Sequence, residues 1–516
     1  MLINDPLKRN AEAMPDKIGV ISSNNRYSYS YLYEKSKCIS NYLVERGIPK
    51  GSMISVHLPN IIETVISIYG ILDAGCAFSI INPSTPIIKL KFILERTKSR
   101  IIITNDPEKV GQALNDHIKK NLSAIIYTEK IETTDIKGVK LEELAQIIDA
   151  RPEFSLSRNV IDMDLASVIF TSGSTGLPKG VMMTHRNMVS ASDSITSYLR
   201  NHDRDTILNV LPLSFDYGLY QLLMTFCFGG TLILEEDFIF PHKPLMMIGE
   251  HKVTGFPIVP SIGAILLKLK RVDEYDLSSL RYITNTAQAL PLKIIEGLRS
   301  IMPNVDIYLM YGLTECKRVS YLPPDLVEKK PTSVGKAMPN VETFLVDENG
   351  NRVNEPHIEG ELVIRGSNIM VGYLGEPLDT SRIIKEGNHP GDRLLYSGDV
   401  FEMDEDGDLF FRRRKDDILK VLGEKVSPLE IETVINRMEN VNEVGVIGVE
   451  NELLGNEIVA FVSTLKYVQK DDIINHCADH IEKKFLPKRI FFLNELPKNQ
   501  NGKIDKRVLR EYLKDQ

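Results

Sequence analysis

The densest run of chemistry-bearing residues is Thr171-Ser-Gly-Ser-Thr-Gly-Leu-Pro-Lys-Gly180, directly after the β-branched run Val168-Ile-Phe170. Small hydroxyl residues and glycines let successive backbone N–H groups turn toward one point and let the main chain approach an anion closely. Thr171, Ser172, Ser174 and Thr175 add donors, Gly173 and Gly176 add freedom, and Lys179 adds charge. That combination suits a polyphosphate. The Pro-Lys-Gly order is not the Gly-Lys-Ser/Thr of a Walker A loop. Ser174 lacks the leading glycine of a Gly-x-Ser-x-Gly elbow, which argues against a serine hydrolase. A second charged feature lies near the end. From Lys483 to Lys514 there are ten basic residues (Lys483, Lys484, Lys488, Arg489, Lys498, Lys503, Lys506, Arg507, Arg510, Lys514) against Glu495, Asp505 and Glu511. This reads either as a solvated face or as a surface for polyphosphate or an acidic protein.

These residues need a large scaffold. The chain has 516 residues, 43% hydrophobic and 26% charged, enough for two or three folding units and a sizeable core. Disorder and coiled coil are excluded by composition. A net charge of −8 gives no reason to expect a nucleic-acid partner. Five scattered cysteines without a CxxC pair suggest neither zinc nor a disulfide framework. The N-terminus does not read as a secretory leader. Ile61–Ile81 is broken by Glu63, Asp73 and two glycines, so a buried helix passing into a strand is expected, without membrane insertion. The expected location is cytoplasmic.

β-branched runs at Met53–Leu58, Arg100–Thr104, Ser123–Tyr127, Thr206–Leu211 and Thr231–Leu234 alternate with helical periodicity at Tyr31–Gly47, Pro86–Thr97 and Pro291–Ile301. Strands separated by helices predict an α/β fold with a largely parallel, covered sheet. The turn Asp404–Asp408, the short strand Leu409–Phe411 and the charge cluster Arg412–Asp417 mark a change of character. A boundary near Arg414 divides the chain into 1–413 and a small α+β unit, 414–516, with helix Pro428–Met438, strands Val444–Val449 and Ile458–Val462, and closing helix Lys506–Leu513.

Five further segments follow the hydroxyl loop in order: Tyr311-Gly-Leu-Thr-Glu315, Gly360-Glu-Leu-Val-Ile-Arg-Gly366, Tyr396-Ser-Gly-Asp399, Arg414-Lys-Asp-Asp417 with Lys420 and Gly423, and Asn501-Gly-Lys-Ile-Asp505. Together they make nearly the whole chain resemble the AMP-forming acyl and aminoacyl ligases. That family includes acyl-CoA synthetases, firefly luciferase and the adenylation domains of non-ribosomal peptide synthetases. The resemblance implies ATP and Mg2+ as ligands, with Tyr311 offering adenine an aromatic face and Thr314 a donor for the α-phosphate. It also implies Glu315 as a hard oxygen ligand for Mg2+, and Asp399 and Arg414 as ribose contacts. Lys503 is the implied catalytic cation, because a carboxylate must approach the α-phosphorus of ATP as pyrophosphate leaves. The small domain is then expected to swing about a hinge at Asp416. One pose inserts Lys503, and the other presents the Gly423–Val426 loop with Lys425 to the step in which a thiol attacks.

The segment Leu211–Gly218 departs from the family's acyl-CoA ligases, which usually carry an aromatic-His pair where Phe215-Asp216 stands. A buried carboxylate calls for a cation, so Asp216 favours an amino acid substrate held by its α-ammonium. The other readings of Asp216 are a hydrogen bond to Tyr217 or a pair with Arg318, and an acyl substrate remains the alternative. Tyr217, Tyr220, Phe256, Thr286, Met310 and Val319 complete the expected pocket. The Asn-Gly-Lys-Ile-Asp-Lys506 ending resembles peptide-synthetase domains. It points to the phosphopantetheine thiol of a separate acyl or peptidyl carrier protein, with CoA as alternative acceptor. Two departures concern geometry: Asn285-Thr-Ala-Gln-Ala-Leu290 replaces a Gly-Gly segment, so Ala287 and Gln288 are expected to narrow the pocket, and Arg413 replaces a glycine before the linker. Luciferase-like oxygen chemistry and a nucleotide-binding protein without turnover are the remote rivals.

Overall fold

In the computed structural model, the described residues are 1–129, 136, 138–150, 158–172, 178–269, 271–415, 419–421, 424–451, 455–499 and 502–514; for 172, 420, 424, 425, 455 and 514 only the backbone is described. The β-branched runs form strands, as their composition requires. Ile101–Thr104, Met53–His57 and Ala77–Ile80 are buried along their whole length, the pattern of parallel strands covered on both faces. Among the described residues they lie in an eight-stranded sheet with Ala124–Tyr127, Leu141–Glu143, Leu165–Ser172, Pro178–Thr184 and Gly372–Tyr373.

A second sheet of fifteen strands, among the described residues, has a parallel half built from Ile18–Ser22, Thr231–Leu234, Thr206–Asn209, Gly255–Ile258, Tyr282–Asn285 and Asp306–Tyr311. Helices Ile62–Asp73 and Asp216–Phe228 are buried on nearly every face, and they share one apolar cluster with strands of both sheets. They are the filling between two sheet layers. The interrupted apolar stretch Ile61–Ile81 is a buried helix followed by strand Ala77–Ile80, as expected. Among the described residues no helix is long and apolar enough to cross a membrane.

The expectation of a largely parallel sheet holds only as far as Tyr311. Beyond it the strands Ser320–Leu322, Ser333–Ala337, Leu409–Arg414, Arg393–Met403, Gly360–Gly366 and Val341–Val346 pair antiparallel. The reason is connection length: these strands follow one another largely through turns, which reverse the chain, rather than through crossover helices. Asp404–Asp408 is such a turn. Lys330 Nζ donates to Asp404, Asp406 and Asp408 at 2.7, 2.7 and 2.6 Å, so this acidic cluster already holds a cation of the chain itself.

After Arg414 the next described strand, Leu419–Val421, belongs to a third sheet, five-stranded among the described residues, with Glu424–Val426, Gly455–Thr464, Val441–Asn451 and Arg489–Phe492. Helices Pro428–Asn436, Lys470–Ala478 and Lys506–Lys514 accompany it, and it has apolar clusters of its own. The molecule is thus a mixed α/β protein with a large N-terminal and a smaller C-terminal domain. The two touch: Lys293 Nζ donates to the Met438 carbonyl at 2.6 Å.

Candidate functional site

The parallel strands Gly255–Ile258, Tyr282–Asn285 and Asp306–Tyr311 end side by side, and their C-terminal ends carry the site, as is general for open α/β sheets. Register places Ile258 beside Asn285 and Asn285 beside Leu309, which brings Thr286 to the level of Met310. Just past Tyr311 the chain folds tightly. Gly312 lies against the Lys317 carbonyl, where any Cβ would overlap it, and the N–H groups of Cys316 and Lys317 donate to Leu313 O at 3.1 and 2.6 Å. The Asn368 amide donates to the carbonyls of Cys316 (2.7 Å) and Arg318 (3.0 Å), and Met370 N donates to Glu315 O at 2.8 Å. The Thr314-Glu315 segment is therefore a pinned turn, not a helix cap.

Asp399, 3% exposed, lies in Arg393–Met403 directly opposite Arg414. The Ser397 hydroxyl accepts from Asp399 N (3.1 Å) and donates to Leu362 O (2.7 Å), which fixes the bend at Gly398. One carboxylate oxygen of Asp399 accepts from Tyr311 Oη at 2.5 Å, the other from Arg414 Nε at 2.7 Å. Burial and the Asp399 charge push the Tyr311 phenol well above its ordinary range. For Arg414, burial works against the charged form, but Asp399 outweighs it and raises the guanidinium further. Arg413, which replaces a glycine before the linker, is paired with Glu359.

Glu315 is held by a residue that the sequence reading did not single out. Tyr373 Oη donates to Glu315 Oε1 at 2.6 Å, and its ring lies 5.1 Å from Lys179 Nζ. Only its place shortly after the Gly360–Gly366 strand hinted at it. Lys179 itself pairs with Asp379 at 2.6 Å. Thr171 and Lys179 face each other across the antiparallel pair Leu165–Ser172 and Pro178–Thr184. Ser172 ends the first of these strands; Gly173, Ser174, Thr175 and Gly176 lie outside the described residues.

Lys503 reaches this centre from the small domain. Its loop is closed by Asn499: Lys503 N donates to Asn499 Oδ1 (3.0 Å) and Asn499 N to Lys503 O (2.7 Å). Gly502, at φ +75°, faces Ser261 of the large domain, where an added Cβ would lie 3.3 Å from its Oγ. Burial and the Arg414 charge hold the Lys503 amine below its ordinary value, while Asp216, Asp399 and Glu315 pull the other way. Asp416 and Gly423 lie outside the described residues, and Lys425 is described only as part of strand Glu424–Val426, opposite Lys420.

Asp216 opens helix Asp216–Phe228 and is 8% exposed. Gly218 lets this helix start against the carbonyls of Leu211 and Pro212, where a Cβ has no room. Tyr217, Tyr220, Phe256, Thr286, Met310 and Val319 are all buried. Neither structural partner expected for Asp216 is present. Tyr217 Oη is engaged with Thr284, at 2.7 Å from both its carbonyl and its hydroxyl, and the Arg318 guanidinium lies over the Tyr217 ring at 4.7 Å. Burial lowers the amine of Lys317, the residue before Arg318, and the Asp216 charge acts the other way. The replaced glycine segment leaves Ala287 at φ +75°, a left-handed conformation for a residue with a Cβ.

The basic tail also changes meaning. Lys484, Arg489, Lys498, Lys506 and Arg507 pair with Glu482, Glu457, Glu443, Glu432 and Asp505 at 2.5–3.0 Å. Five of the ten basic residues are thus paired, four of them with acids outside the counted stretch.

Fold and site define a two-domain enzyme with its charged centre at the junction. The AMP-binding enzyme family matches residues 7–374, and the AMP-binding enzyme C-terminal domain matches residues 430–503. A long-chain-fatty-acid–CoA ligase of Bacillus subtilis (strain 168) is 27% identical over 530 residues, covering 98% of this chain and 93% of that protein. A 4-coumarate–CoA ligase of Vanilla planifolia is 31% identical over 510 residues, covering 94% and 88%. The solved o-succinylbenzoate CoA synthetase from Bacillus subtilis, in complex with its acyl-adenylate intermediate, superposes with a TM-score of 0.83 at 25% identity, covering 99% and 98%. The chain belongs to the AMP-binding enzyme family and is an AMP-forming, adenylating ligase of the acyl-CoA ligase type.

Proposed function

We propose that this ligase joins ATP to a small carboxylic acid, releases pyrophosphate, and passes the acyl group to a phosphopantetheine thiol. The observation that carries the reading is that Lys503 of the small domain feels the charges of Asp216, Glu315 and Asp399 of the large one, and of Arg414 at the boundary. In this reading the ammonium of Lys503 offsets the charge that grows as the acid's oxygen attacks and pyrophosphate departs. Asp399 keeps lone pairs for the ribose hydroxyls even while it accepts from Tyr311 and Arg414, and Tyr311 offers its ring to adenine. Lys179 and the hydroxyl loop hold the phosphates, with Lys179 leaving Asp379 to do so, and Thr314 donates to the α-phosphate.

Glu315 fits Mg2+: Tyr373 occupies Oε1 and orients the carboxylate, which leaves Oε2 for a hard cation. Bound there, the ion would spread charge over the phosphate oxygens. The unit boundary is placed at 413/414 with the hinge at Asp416, so that Lys503 withdraws and Gly423–Lys425 enters for the thiol step.

CoA is the acceptor best supported, since the relatives named above are CoA ligases; a carrier-protein arm is the second reading. An amino acid substrate rests on the buried carboxylate of Asp216, but the nearby ammonium of Lys317 supplies the cation that this carboxylate requires. The test is ATP–pyrophosphate exchange across a panel of acids and amino acids, followed by thioester detection with CoA or carrier protein. Acid-dependent exchange and AMP release are expected. Phosphate or ADP as the product would refute the reading.

A further inference from the structure

The strongest unexplained feature of the acid pocket is a pair of adjacent buried cations. Lys317 is 1% exposed and Arg318 4%. Among the described residues Lys317 Nζ and Arg318 Nε have no hydrogen-bond partner, and the guanidinium's one protein acceptor is the Lys317 carbonyl at 3.0 Å from Nη1. Each cation lies over a tyrosine of the helix that Asp216 opens: Lys317 Nζ is 5.3 Å from the Tyr220 ring centre, Arg318 4.7 Å from that of Tyr217. Two further polar atoms there, Tyr220 Oη and Thr286 Oγ1, are also buried without partners.

Charge counting shows what is missing. Asp216 is the carboxylate that favours the charged form of Lys317 against burial, Glu315 has Tyr373 on one oxygen and the expected Mg2+ on the other, and neither forms an ion pair with Arg318. One positive charge remains, in a site where aromatic faces give only partial compensation. The backbone supports an active purpose. Lys317 is in the left-handed region at φ +68°, a strained conformation for a lysine, and the Gly312 contact and the Asn368 amide hold it there. Strain of this kind persists where surrounding structure over-determines it, and it clusters at ligand clamps. An aliphatic tail would meet unsatisfied charges here, whereas a carboxylate matches the planar fork of a guanidinium and an ammonium together.

We infer that Lys317 and Arg318 receive a second carboxylate on the acid being activated, so that the substrate class is a dicarboxylic acid with one end at Lys503 and the other at this pair. The inference rests on the ligase reading and adds the substrate's far end to it. Tyr220 and Thr286 then donate to the same carboxylate. Arg318 is a specificity-determining residue, as is Lys317.

The experiment is ATP–pyrophosphate exchange by the full chain with matched acids: butanoate against butanedioate, hexanoate against hexanedioate, benzoate against its dicarboxylic counterparts, and 2-aminopentanoate against glutamate. At least one diacid is expected to exceed its monoacid partner in kcat/KM by thirtyfold or more. Arg318→Met and Lys317→Met are each expected to lower that ratio more than tenfold, through the KM for the diacid, and Arg318→Lys to retain part of it. Should the methionine variants fail to fold, the wild-type ratio and Arg318→Lys decide. Monoacids or plain amino acids used as well as diacids overturn the inference, as does a ratio that survives in every folded variant. Exchange with monoacids alone leaves the ligase reading standing, whereas no exchange with any acid removes that reading and this inference with it.

Discussion

Replacing Lys503 by alanine removes an amine that feels the charges of Asp216, Glu315, Asp399 and Arg414. Its backbone loop is closed by Asn499 through main-chain N–H groups, so the truncation leaves the loop's hydrogen bonds in place. The magnitude follows from Coulomb's law. A unit charge about 4 Å from developing negative charge, at an effective dielectric of about 20, is worth about 4 kcal/mol. Removing a preorganised donor of this kind usually costs roughly 10²–10³ in rate. Adenylation by Lys503→Ala, measured as acid-dependent ATP–pyrophosphate exchange, is therefore expected to fall by about two to three orders of magnitude. Thioester formation from preformed acyl-adenylate, timed by rapid quench, is expected to fall far less, because the lysine is withdrawn in that step. The wild-type rate should also decline with alkali earlier than a free lysine would allow, since burial and Arg414 lower this amine. Exchange within threefold of wild type would refute the reasoning, and so would equal loss in both half-reactions.

Two other outcomes follow from the geometry. Tyr373→Phe keeps the ring beneath Lys179 but frees Glu315 Oε1, removing a hydrogen bond to a charged group worth about 1.5–3 kcal/mol. The Mg2+ concentration for half-maximal exchange is expected to rise severalfold, and an unchanged Mg2+ dependence would count against Glu315 as the ligand. His57 and His185 are buried, and burial lowers both to about 4 from the ordinary 6.5. The fold thus keeps them neutral while the unfolded chain takes up protons, so their contribution is intact above pH 6.5 and is lost as pH falls through 4. At 1.36 kcal/mol per unit the loss is about 3 kcal/mol for each. Urea midpoints of the large domain at pH 7, 5.5 and 4.5 should fall in that order; flat midpoints would exclude buried neutral histidines.

Much of this was written in local sequence. The runs Met53–Leu58 and Thr231–Leu234 became strands because β-branched side chains fit a covered pleated sheet, and Pro291–Ile301 became helix Leu292–Ile301 because its apolar period is that of a helix face. Segment order along the chain was enough to indicate the family. The antiparallel half of the large sheet was not legible, because strand direction depends on how the connections run and not on strand composition.

Residue type and spacing, then, determined by themselves the two-part α/β build and the lysine in a glycine turn, and were the ground for proposing a phosphate-suited loop and an acid for a hard cation. Tertiary structure alone decided what each charge means. It set Lys503 beside Asp216 and Glu315, gave Asp216 a neighbour in Lys317, joined Glu315 to Tyr373, and cancelled half of the basic tail with Glu432, Glu443, Glu457, Glu482 and Asp505. The physical reason is range. Propensity and periodicity act between residues a few positions apart, whereas Coulomb interactions and burial act through space, between groups that only the folded chain brings together.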